Sequence, residues 1–131
     1  MVNNIIEFEN VSKQYREKAG EIVNALNPSE LSIQAGEFFT LLGPSGCGKT
    51  TALRLMAGFI QPTAGNIKID GLAMNNVPPY RRPVNTVFQN YALFPHMTIG
   101  ENVAFGLEMK GVSKTERTAR ALQALELADF F

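Results

Sequence analysis

The sequence of 131 residues holds one cysteine, one histidine and no surplus of charge, with twelve acidic and twelve basic side chains. A single thiol, Cys47, excludes an internal disulfide and a thiolate metal cluster. Zero net charge gives no electrostatic reason to expect nucleic acid as a partner. Long apolar runs are missing as well. FFTLLG is short and Arg54 interrupts ALRLMAGFI, so nothing reaches the ~20 residues that a membrane span needs. The start, MVNNIIEFEN, has no basic stretch leading into an apolar one and does not read as a signal peptide. His96 has no second histidine and no neighbouring serine or cysteine nucleophile, which argues against metal or triad chemistry. Arg81-Arg82 is too short for a basic patch and reads as a solvated pair.

The chain is 45% hydrophobic, the composition of one soluble domain. At this length roughly two thirds of the unfolded surface can be buried. Residues 5–9 (IIEFE) alternate as an edge strand, and residues 21–26 (EIVNAL) can pair with them across the loop EKAGE. LSI at 31–33 is a further short strand. EFFTLLG at 37–43 is apolar on consecutive positions, which predicts a strand covered on both faces. Residues 49–57 carry helical spacing at Ala52, Leu53, Leu55 and Met56, with Gly58 placed to stop the helix.

Beyond the turn QPTAG, NIKIDG predicts a short strand closed by Asp70-Gly71. MNNVPPYRRP is a proline-rich loop, NTVFQ at 85–89 is strand-like, and NYALFPHMT is irregular. Residues 100–109 predict a helix. Ser113 and Glu116 form a capping box before a second one, with Leu122, Leu125 and Ala128 on one face. No repeat or low-complexity tract interrupts this α/β layout.

The most informative stretch is LLGPSGCGKTTALRL. Gly43-Pro44-Ser45-Gly46-Cys47-Gly48-Lys49-Thr50 fits G-x-x-x-x-G-K-[ST], and Thr51 follows. A polyphosphate needs several donors converging on its oxygens, and successive backbone N–H groups supply them without side-chain bulk. The following helix turns its positive end to the same phosphates. Lys49 can reach the terminal phosphates, and the Thr50 hydroxyl is a natural ligand for Mg²⁺. A polyphosphate with Mg²⁺ is the ligand this pattern implies.

Joined to VNTVFQNYALFPHMTIGENVAFGL, the loop makes the chain resemble the N-terminal part of an ABC transporter ATP-binding subunit. It is most similar to bacterial spermidine/putrescine importer ATPases, with iron(III) and maltose importer ATPases close behind. The resemblance implies an ABC-type P-loop NTPase fold. Residues 1–90 would be the first part of the ATP-binding core, and residues 91–131 the glutamine-loop exit and the start of a helical subdomain. It implies that Tyr15, in VSKQY, stacks on adenine, and that Gln89 touches Mg²⁺ and the attacking water. Phe94, Pro95, His96 and Met97 would receive a helix of the membrane-spanning importer subunits. A second ATP-binding subunit would complete a homodimer, peripheral at the cytoplasmic face of the bacterial inner membrane. The transported solute would be small and polyamine-like.

The family pattern also calls for an LSGGQ-type signature, an apolar strand ending in Asp-Glu, a D-loop and a switch histidine. None of the four occurs after Gln89 in this sequence. Lys49 and Gln89 are therefore an incomplete catalytic set, the chain reads as a partial subunit, and hydrolysis by it alone is not expected. Strands that would flank residues 37–43 are missing with them. Two other readings stay open at this point: a non-hydrolytic nucleotide-binding or docking module, and a small P-loop kinase.

Overall fold

The computed structural model describes residues 3–128. They form two compact units, Met1–Thr86 and Val87–Phe131. The first unit is an antiparallel sheet backed by one helix. Strand β1 (Asn4–Arg16) and strand β2 (Ile22–Gln34) make a long hairpin. Helix α1 spans Lys49–Ala57, and β3 (Ala64–Ile69) and β4 (Leu72–Ala73) close the sheet in the order β2-β1-β3-β4. The second unit holds helix α2 (Ile99–Met109) and helix α3 (Lys114–Leu127). No described helix is long and apolar enough to cross a membrane.

Alternation explains the sheet. Ile6 pairs with Ile33 on one side and Ile69 on the other, and Phe8 pairs with Leu31 and Ile67. Successive even-numbered positions of β1 thus put apolar side chains on one face. The next buried residue is Val11, an odd position, so the strand has to gain a residue between them. It does so in a bulge, where the pairing shifts between Glu9 and Ser12 and Asn10 takes a left-handed φ of 54°. The bulge brings the backbone of Asn10 against β3. A Cβ on Gly65 would stand 2.3 Å from the Asn10 carbonyl oxygen, so only glycine fits opposite it.

Helix α1 covers this face with Ala52, Leu55, Met56 and Ala57, while Leu53 stays half exposed. Leu55, Ile67, Ile69 and Val11 are essentially sealed from water, each side chain worth on the order of 2 kcal/mol. Met74 completes the cluster. The turn between β3 and β4 is left-handed at both Asp70 (φ 50°) and Gly71 (φ 72°), the geometry that the pair Asp-Gly predicts. Lys68 points away from the core to form an ion pair with Glu9 across β1 and β3. The hydrogen bond and charge of Glu9 raise the Lys68 pKa, but the pair is open to solvent and adds little to stability.

Three expectations need correction. The hairpin runs through residues 31–33, which extend β2 and do not form a strand of their own. Residues 37–43 form no strand among the described residues, and Phe38 and Leu42 are almost fully exposed. Residues 85–89 likewise lack strand pairing, with Val87 exposed. Residues 37–43 carry the pattern of a strand covered on two faces and residues 85–89 are strand-like, yet none of the four described strands pairs with either. A strand is a pairing before it is a pattern.

Gly65→Ala should lower the urea midpoint of this chain by the equivalent of about 2 kcal/mol or more, because φ is +85° and the contact is backbone to backbone. An unchanged midpoint would show that the bulge is not held in this register.

Candidate phosphate-binding loop

Residues 43–51 carry the loop. Two of its glycines are left-handed, Gly46 at φ 81° and Gly48 at φ 97°, which turns successive peptide N–H groups toward one side. Gly48 is also the N-cap of α1. A Cβ there would crowd both the Ala25 carbonyl and the Leu26 side chain at 3.2 Å, so the loop lies close against β2. Gly48 has no side chain with which to cap the helix, and no other side chain takes that role. The first N–H groups of α1 have no partner along the helix. The positive end of α1 is left open.

Lys49 is folded back over that opening. Its ammonium donates to the Gly43 carbonyl at 2.5 Å and the Pro44 carbonyl at 2.7 Å, with Cys47 Sγ at 3.3 Å. Thr50 and Cys47 are exposed on the same loop. Ordered main-chain donors, a helix N-terminus and a cation with no carboxylate partner among the described residues fit a polyanion. The same donor set excludes a metal bound by protein side chains alone. Among the described residues, no group of three or more His, Cys, Asp or Glu is placed to hold one. A cavity of about 200 Å³ is lined by Cys47, Gly48 and Lys49 of the loop together with apolar Phe8, Leu26 and Leu41.

The other sequence-derived residues are placed as follows. Tyr15 stands near the end of β1, 43% exposed, with the Lys13 ammonium 5.0 Å from its ring centroid. The ammonium lies over the ring in a cation–π contact and so covers one of its faces. Gln89 is exposed in the second unit. Phe94 is half-buried, its ring 4.6 Å from that of Phe105 and 6.0 Å from His96. His96 and Met97 also line a groove of about 700 Å³ between α2 and α3, with Ala104, Arg117 and Leu125 deeper along the helices.

Sequence reasoning missed the residues that shape these segments. Asn102 of α2 accepts a hydrogen bond from the Phe94 amide at 2.8 Å and donates to the carbonyls of Phe94, Met97 and Thr98. One side chain thus folds the FPHMT turn onto its helix. Thr98 and Glu101 make a complete capping box, whereas the expected one at Ser113 and Glu116 shows only the Ser113 half. The T-x-x-E spacing was there to be read. Arg82 is the third omission and a correction. The pair Arg81-Arg82 is not simply solvated: Arg82 is 6% exposed.

A glycine-rich loop opening an uncapped helix, with its lysine over the mouth, defines a P-loop nucleotide-binding domain. The family model described as ABC transporter matches residues 26–131, and the chain belongs to that family. It is 56% identical over 124 residues to the spermidine/putrescine import ATP-binding protein PotA of Mesorhizobium japonicum, covering 95% of this chain and 34% of that protein. The protein of the same name from Haemophilus ducreyi is 57% identical over 123 residues, covering 94% of this chain and 32% of the relative. The chain spans about a third of the length of these relatives. Among solved structures, the dimeric ATP-binding cassette MJ0796 in a post-hydrolysis state bound to ADP and Pi superposes with a TM-score of 0.83 at 35% identity. That match covers 95% of this chain and 57% of the cassette.

The Glu101 carboxylate accepts from the Thr98 amide at 2.7 Å and the Thr98 hydroxyl at 2.9 Å. These bonds, the backbone one first, hold its pKa below the usual glutamate value. A carboxyl whose folded pKa is depressed stabilises the fold above its unfolded pKa and ceases to do so as pH falls through the folded one. The cap at the start of α2 should therefore be intact at neutral pH and open on acidification, with the Glu101 carboxyl carbon titrating below that of an unstructured glutamyl peptide. Titration coincident with the peptide would remove the capping box.

Proposed function

We propose that this chain is the phosphate-binding part of the ATP-binding subunit of an ABC importer. The observation that carries the reading is the uncapped α1 N-terminus beneath two left-handed glycines, with Lys49 folded over it. On binding, Lys49 exchanges two neutral carbonyl partners for anionic phosphate oxygens, a stronger charge-assisted contact. The amides of Gly46 and of Gly48 to Thr51 hold the phosphates, and the Thr50 hydroxyl is the group of this unit that would hold Mg²⁺. When bound, Mg²⁺ screens the negative charge of the phosphates. Tyr15 offers a face to the adenine.

In the whole protein these groups would serve ATP hydrolysis coupled to uptake of a small solute, of the polyamine class by likeness to relatives named for spermidine and putrescine import. Phe94, Pro95, His96 and Met97, held by Asn102, would meet the membrane-spanning subunits at the cytoplasmic face of the bacterial inner membrane. A second ATP-binding subunit is a further partner, and the solved relatives are described as dimers.

A fluorescent ATP analogue with Mg²⁺ should bind this chain, and Lys49→Ala should weaken binding by about tenfold or more, since a contact to a charged group is lost. Equal affinities would remove the phosphate-loop assignment. Mg-ATP should also slow alkylation of Cys47, the only thiol, because nucleotide over the loop covers its sulfur. A rate indifferent to nucleotide would place the ligand elsewhere.

A further inference from the structure

Arg82 is a guanidinium held within the first unit by main-chain oxygens alone. Its Nη1 donates to the carbonyls of Leu55 and Met56 at 2.8 and 3.0 Å, in the last turn of α1. Its Nη2 donates to the Met74 carbonyl at 2.6 Å, and its Nε to that of Val77 at 2.8 Å. No carboxylate among the described residues pairs with it. Burial lowers its pKa, yet arginine stays a cation across any working pH. A buried charge is costly unless fully hydrogen-bonded, and here four carbonyls do that work. Gly58 makes room for it. A Cβ at that position would lie 2.4 Å from Arg82 Nε.

We propose that Arg82 is a positioning residue for the phosphate loop, acting through α1 from the end opposite to the loop. The carbonyls it holds belong to the negative end of the helix, where a cation stabilises. They are also joined through it to Met74 and Val77, beside β4, so the helix end is fixed relative to the sheet. A nine-residue helix is a short rigid lever of ~13 Å. A tilt of about 5° at the Arg82 end moves the loop amides by about 1 Å, more than the roughly 0.5 Å that a preorganised site tolerates. Arg82 thereby sets where the amides of residues 46–51 point without touching a ligand. It matters to nucleotide binding only if the loop is the phosphate site, whereas its hold on α1 can be read with no nucleotide present.

Amide hydrogen exchange of the whole chain, followed by NMR, tests the lever. The Ala52 amide closes the first turn of α1 on the Gly48 carbonyl, and the Asp70 amide bonds to the Ile5 carbonyl across β1 and β3. In Arg82→Ala, Ala52 should exchange about tenfold faster while Asp70 is unchanged, and millimolar methylguanidinium should restore the rate. Acceleration confined to Gly58 and Phe59 would reduce Arg82 to a local cap and overturn the proposal. So would equal acceleration at Ala52 and Asp70, or no recovery with methylguanidinium. Should Arg82→Ala fail to fold, Arg82→Lys keeps the cation with fewer donors, and unchanged exchange at its Ala52 would be equally fatal. The fluorescent ATP analogue then reads the consequence: affinity should fall by about tenfold in the alanine variant and recover with methylguanidinium. Full affinity despite faster Ala52 exchange would also overturn it. If the unaltered chain does not bind the analogue, the phosphate-loop reading fails, and the exchange data still decide whether Arg82 holds the helix.

Discussion

A ligand site built from main-chain amides requires that those amides have no partner in the protein. That constraint organises the first unit. Helix α1 begins at a glycine that cannot cap it, so its N-terminal donors are left to water or to an anion. A helix of nine residues is too short to be stable on propensity alone, and tertiary contacts must hold it. They come from its buried face and from its other end. There Gly58 N–H groups with the Arg54 and Leu55 carbonyls, Phe59 returns to Arg54, and Arg82 takes Leu55 and Met56. One terminus is left open because the other is held several times over.

The same trade explains the glycines and the bulge. Val11 reaches the core only because β1 gains a residue at Asn10, and the gain is possible only because Gly65 has no side chain. The side chains under α1 therefore depend on torsions in strands far from the loop. Phosphate chemistry and sheet register are separate in sequence but share the packing of Leu55 and Met56 against Phe8, Val11 and Ile67.

What could be read from the sequence was local. Helix α1 matches its expected ends because capping glycines and apolar spacing lie within one short window, and α2 lies within a residue of its expected start. The Asp70-Gly71 turn and the hairpin are legible for the same reason. The loop is legible as a motif, since its chemistry dictates residue types at fixed spacing. Arg82 was not legible. A pair of arginines among prolines is solvated in most settings, and only the convergence of carbonyls from Leu55, Met56, Met74 and Val77 makes Arg82 otherwise. Asn102 was hidden similarly, because its four hydrogen bonds serve a turn whose shape no periodicity announces.

Residues 37–43 and 85–89 show the limit from the other side. The first reads as a strand covered on both faces and the second as strand-like, and both are unpaired among the described residues. Phe38, Leu42 and Val87 consequently lie open to solvent. The loop itself is shaped by features close at hand: the left-handed torsions at Gly46 and Gly48, the approach of Gly48 to β2, and the clamped far end of α1. Strand pairing on either side of residues 37–43 would bury their side chains and add stability, but it would not supply these torsions. The phosphate loop is shaped by its own glycines and by the helix behind it, and the sheet around it supplies the core on which both rest.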